Sequence, residues 1–189
     1  MAYQPQPMDL NRFYEHWVAF TPVLDAIEPT LLVSQVQALG RQDARLLLRE
    51  ANAVNKKDFG AEELHDRIFE SYQWVLTAYE VIRMLWQRSE ENPGLLRQES
   101  KDLLNRVHAC ITRLRIPLAK MEPAKRHRDT DFALAYPGES LENGSAAWMV
   151  SDGVWISRRA MADLMLHLLQ QLTSDGINLA SRSPEQEPA

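Results

Sequence analysis

The chain contains one cysteine, Cys110, so no intrachain disulfide can form and a disulfide scaffold is excluded. A reducing cytoplasm is the setting this implies. Glycine is also scarce, with seven in 189 residues. No glycine-rich phosphate loop, Gly-x-Ser-x-Gly elbow or His-Glu-x-x-His pair is present, which removes the commonest nucleotide-, ester- and zinc-hydrolase signatures. No apolar run nears the roughly 18 residues of a membrane span. The opening Met1-Ala2-Tyr3-Gln4-Pro5-Gln6-Pro7 has no basic start followed by an apolar stretch, so neither a secretory signal nor membrane association is expected. Positive charge is not in excess: the formal net charge is −5, which argues against a protein that is basic all over.

What the chain does have is the 45% apolar and 25% charged composition of an ordinary globular protein, in a mass of 21.7 kDa. That suits one substantial domain, which at this size buries roughly 70% of the surface its unfolded form exposes. The expected organisation is a loose arm over 1–7, a single helical domain over 8–173, and a disordered tail over 174–189.

Leu10, Phe13, Trp17 and Phe20 recur at helical spacing behind Asp9 as N-cap, and Thr21-Pro22 closes that helix. Pro29 is placed to open a second helix carrying Leu32, Val36 and Leu39, with Gly40 as its stop. A third is expected from about Gln42 to Val54. From Ala61 to Arg88 the apolar positions Leu64, Ile68, Tyr72, Val75, Tyr79, Ile82 and Trp86 are spaced 4, 4, 3, 4, 3, 4, the seam of a helix roughly 42 Å long. Ser89 to Gly94 breaks it. Leu96, Leu103, Val107, Cys110 or Ile111, Leu114 and Leu118 then mark a second long helix. The short Pro93-Gly94 connection makes the pair antiparallel, with Pro117 expected to kink the second member and Pro123 to end it.

Beyond that helix the period changes. Phe132 to Tyr136 is a short apolar run ending in Pro137-Gly138. Two β-prone runs then flank Ser151-Asp152-Gly153, a hairpin signal over about 146–157. Ser157 caps a last helix with Met161, Leu164, Met165, Leu168 and Leu172 on one side. The fold class is therefore mainly α: an antiparallel bundle around a long αα-hairpin, with a small β-hairpin inserted before the C-terminal helix.

Charge is unevenly spread. From Lys101 to Thr130, eight cationic residues face three acidic ones, leaving the rest of the chain at −10. Within this window Arg115, Lys120, Glu122, Arg126 and His127 are candidates to hold a phosphate or carboxylate. Trp148 and Trp155 on the hairpin can offer flat surfaces for stacking. The alternative is that Arg115 and Glu122 make structural ion pairs and both tryptophans close the end of the bundle. Glu62-Glu63-Leu64-His65 matches one half of a di-iron carboxylate site, but Asn105 precedes His108 where the second glutamate is needed, and no zinc set is clustered. No metal, cofactor or catalytic residue is expected. Cys110, on an apolar stripe, reads as a small core side chain.

Two functions remain open. One is a non-enzymatic interaction protein, self-associating as a homodimer through the surplus apolar face of Tyr72, Tyr79, Trp86, Met161 and Met165. The other is a protein that binds, or as a ribonuclease-like enzyme cleaves, RNA or another phosphorylated ligand with the basic 113–128 segment.

Overall fold

The computed structural model describes residues 10–25, 27, 31–56 and 60–176. Helices α1 (Leu10–Val18) and α2 (Thr21–Asp25) lead into α3 (Leu31–Lys56), α4 (Ala61–Glu91) and α5 (Gln98–Lys120). A 3₁₀ turn (Lys125–His127), strands β1 (Tyr136–Glu139), β2 (Ala146–Ser151) and β3 (Val154–Ser157), and α6 (Arg158–Asp175) follow. The fold is mainly α with a small antiparallel sheet before the C-terminal helix, as the sequence pattern predicts. Among the described residues no helix is long and apolar enough to cross a membrane.

The scaffold is the α4/α5 hairpin. Its two helices run antiparallel, and Trp74, Val75, Ala78, Val81, Ile82 and Leu85 of α4 share one buried core with Leu103, Leu104, Val107, Ile111 and Leu114 of α5. The fully buried line of α4 sits beside the expected stripe. Val75 and Ile82 belong to both, whereas Leu64, Ile68, Tyr72, Tyr79 and Trp86 form a half-buried flank. Helix α5 continues through the buried Pro117 and ends at Met121, whose left-handed backbone (φ 55°) turns the chain before Pro123 is reached. Helix α3 packs antiparallel on α4, with the Trp74 indole donating to the Leu39 carbonyl at 3.2 Å, while α6 packs on α5.

Gly40 does not stop a helix. Helix α3 runs unbroken from 31 to 56, so the two expected helices are one, and Gly40 is buried where α1 crosses. A Cβ at Gly40 would lie 2.5 Å from the Trp17 Cβ; glycine serves here as the space that lets the indole sit against the backbone. The proposed cap Asp9, Pro29 and the arm over 1–7 lie outside the described residues. Of the expected disordered tail, Ser174 and Asp175 are helical, held by Ser100 Oγ donating to Asp175 at 2.7 Å, and residues 177–189 lie outside the description.

The hairpin between β2 and β3 turns at Asp152-Gly153, with Gly153 at φ 71° and an irregularity in register between Met149 and Ser151. Strand β1, which the sequence pattern does not indicate, adds to the other side of β2, giving the order β1-β2-β3. Its Tyr-Pro-Gly-Glu sequence can serve only at an edge, where proline gives up no needed ladder donor. Register places Trp148 beside Ile156 on the inner face, and Tyr136, Met149 and Trp155 side by side on the outer one.

A buried ionic junction ties these layers together. Arg158, fully buried at the start of α6, pairs with Asp43 and with Glu50 (2.6 Å) of α3 and lies 5.7 Å over the Trp74 ring. Asp43 also accepts from the Trp17 indole at 3.1 Å. Nearby, Arg67 of α4 reaches Glu139 (2.6 Å) and donates to the Gly144 carbonyl at 3.0 Å, fixing the β1–β2 loop. Burial pushes the Glu50 carboxyl above its usual range, opposed by the Arg158 charge. Each charge is neutralised by a geometry that removal of one partner would break.

Candidate functional site

The flank of α4 that the core leaves half-exposed meets the corresponding flank of α5, and the side chains there are aromatic and cationic. Trp86 and His108 stack at 4.7 Å with planes 11° apart. His108 in turn stacks on Tyr79 at 6.3 Å and 23°, and the Arg115 guanidinium lies 4.8 Å over the other end of the row, on Tyr79. Helical spacing builds this ladder: Tyr79 and Trp86 are seven residues apart on α4, as are His108 and Arg115 on α5, so both pairs project from one side of an antiparallel hairpin. Asn105 Oδ1 accepts from the Trp86 indole at 3.0 Å and fixes the upper ring.

The 3₁₀ turn folds back toward this row. Burial, and after it the charge of Arg126, holds the His108 pKa below its usual value, so the imidazole is neutral at pH 7. Arg113 anchors the returning chain through a two-pronged contact with Asp131 (2.7 and 2.8 Å), which in turn holds the Asp131 carboxyl below the usual range. Among the described residues, Arg106, Arg115, Lys125, Arg126 and Arg128 have no carboxylate within 4.0 Å. The Arg115 guanidinium over the stacked Tyr79 ring, with no carboxylate to neutralise it, is suited to an anionic ligand that carries flat groups.

The seven residues singled out from sequence do not gather in one place. Arg115 lies on the ladder, whereas Arg126, exposed in the 3₁₀ turn, acts on it through its charge on His108. Lys120 and Glu122 make an exposed 4.0 Å pair at the end of α5, and His127 is half-buried in the 3₁₀ turn, its carbonyl accepting from the Thr130 and Asp131 amides. Trp148 is buried beneath the sheet, while Trp155 lies on the opposite face with its ring against Gly138. Trp148 floors an apolar groove of about 490 Å³ with His65, Phe69, Tyr72, Leu118 and Pro137. Trp155 borders a second hollow of about 480 Å³ that reaches Cys110, whose thiol is pushed up by burial and stays protonated at neutral pH.

Sequence reasoning missed His108, Tyr79 and Trp86 as members of a site, because an aromatic at heptad spacing signals core equally well. The one available cue was the Tyr72-Tyr79-Trp86 recurrence, aromatic at every step where a plain seam carries leucine. Among the described residues no group of three or more His, Cys, Asp or Glu can hold a metal ion. Compared with protein-family models, with curated proteins and with solved structures, the chain finds no match.

Proposed function

We propose that this protein binds a phosphorylated, base-bearing ligand, a single-stranded nucleic acid, on the α4/α5 flank, with no catalytic role assigned. The observation that carries the reading is the Trp86–His108–Tyr79 row, capped by the Arg115 guanidinium, for which no carboxylate lies within salt-bridge distance. Single strands are held by this combination of stacking surfaces and a positive track. The local +5 of residues 101–130 supports it against an overall charge that would otherwise repel phosphate. The single cysteine makes a reducing cytoplasm the setting we infer.

The test is fluorescence anisotropy of a labelled single-stranded oligoribonucleotide and its DNA counterpart. Binding is expected at low salt and should weaken as salt rises. Arg115→Ala and Arg126→Ala should each lower the slope of log K against log salt by about 0.7. Absence of binding at low salt, or binding indifferent to both substitutions, overturns the reading.

Self-association as a homodimer keeps a separate basis. Of the apolar face of Tyr72, Tyr79, Trp86, Met161 and Met165, both methionines are buried in the core, while the three aromatics stay half-exposed along α4. What favours an interface instead is the outer sheet row of Tyr136, Met149 and Trp155, with Tyr136 and Trp155 about half exposed. Sedimentation velocity at tens of micromolar should show a dimer that Trp155→Ser dissociates; a monomer in the unaltered protein sinks it.

A further inference from the structure

We infer that the groove floored by Trp148 is a subsite for one unstacked base of the same nucleic-acid strand; this rests on the function proposed above and adds where the strand is held and in what form. The groove lies along the same side of the hairpin as the ladder. Tyr72 is seven residues from Tyr79 on α4, about 10 Å along the axis, and Leu118 is one turn beyond Arg115 on α5. Groove and ladder therefore form one track of about 21 Å from Tyr72 to Trp86, with the Arg115 guanidinium over Tyr79 between its two aromatic stations.

The composition of the groove points to a base rather than to an aliphatic chain. Phe69, one of the more exposed large apolar residues, is stacked on Tyr72 at 6.4 Å with planes 25° apart. Together they present an open ring face that a second flat ring can cover. Trp148 and Pro137 also line the groove, and its lining includes two residues that can hydrogen-bond the edge of a base, His65 and Tyr72. At about 490 Å³ the space is within the range of small-ligand sites. The charge arrangement selects the occupant: groove walls are apolar, and Arg115, which has no carboxylate partner, stands over Tyr79 toward the ladder, where the connecting phosphate of a base seated in the groove would pass. A base paired in a duplex cannot reach Phe69, so the same geometry makes the protein prefer single strands.

The experiment uses the full chain and a six-nucleotide oligoribonucleotide in which a single abasic site is moved through every position, with a hairpin duplex of the same composition as control. One position is expected to stand out, its loss weakening binding at least about fivefold, the lower end for one stacked base. Phe69→Ala should abolish that position dependence while leaving the salt slope unchanged, and the duplex should bind more weakly than the strand. Phe69 is exposed, and an unshifted thermal melt of the variant confirms that the fold is kept. If all positions matter equally, or if Phe69→Ala changes nothing while Arg115→Ala still weakens binding, the subsite is wrong and the ladder reading stands. If no oligonucleotide binds at low salt, both fall together.

Discussion

Gly40 shows how one missing side chain can decide where a helix goes. Adding a methyl would place it 2.5 to 3.0 Å from three atoms of Trp17, which is itself 1% exposed and hydrogen-bonded to Asp43, so neither partner can retreat cheaply. Gly40→Ala is expected to destabilise by about 1–3 kcal/mol, read as a lower urea midpoint, although alanine is the better helix former. Position 40 also marks the limit of what the sequence discloses. Glycine after an apolar stripe is a frequent helix end, and only the approach of a tryptophan 23 positions earlier makes it an interior residue. The same holds for Asp43, Glu50 and Arg158. Each reads as part of a solvated face, because the partners that neutralise them come from a helix more than a hundred residues away.

His108 adds a second test at this scale. Its folded pKa lies below the ordinary value near 6.5, so between that value and the lowered one the unfolded chain binds the proton more readily. Stability should therefore fall as pH drops below about 6.5, and His108→Gln should flatten that part of the curve when urea midpoints are compared across pH. An unchanged slope would mean that the stacked imidazole is not desolvated.

Among the elements, the best-read boundaries are those with a local chemical cause. Helix α6 begins at Ser157, whose hydroxyl accepts from the Ala160 amide at 3.1 Å, the N-cap its sequence predicts. Ser157→Ala should cost about 1 kcal/mol and Ser157→Gly only a few tenths, measured by chemical denaturation. The Asp152-Gly153 turn and the Pro93-Gly94 break were legible for the same reason. Strand β1 was not, since Pro137 and Gly138 oppose strand formation and only the neighbouring β2 recruits them. On α4 the pattern identified the helix and its partner but not which stripe is innermost: Tyr72, Tyr79 and Trp86 stay half-buried, while Ser71, Trp74, Ala78, Val81 and Leu85 share the buried line with Val75 and Ile82.

Viewed as a whole, the molecule carries a net +5 over α5 and the returning 3₁₀ turn (residues 101–130), on a chain otherwise rich in acid. Charge content was readable from composition, but the doubling back of the 121–131 segment, which sets Asp131 on Arg113 of α5, was not. Arg126→Ala should raise the His108 pKa toward its ordinary value, visible as a shifted imidazole titration by NMR; a titration that does not move would place Arg126 too far away to share a ligand with Arg115.

The Arg158 junction has a consequence for how the bundle finds its alignment. Rows of leucine and methionine tolerate slippage, since one aliphatic knob fits a neighbour's hole nearly as well as its own. A guanidinium that must meet two carboxylates one α3 face apart tolerates none: moving α6 by a turn would strand a full charge among hydrocarbons. The joint thus works as a key, admitting one sliding position of the last helix and rejecting the rest.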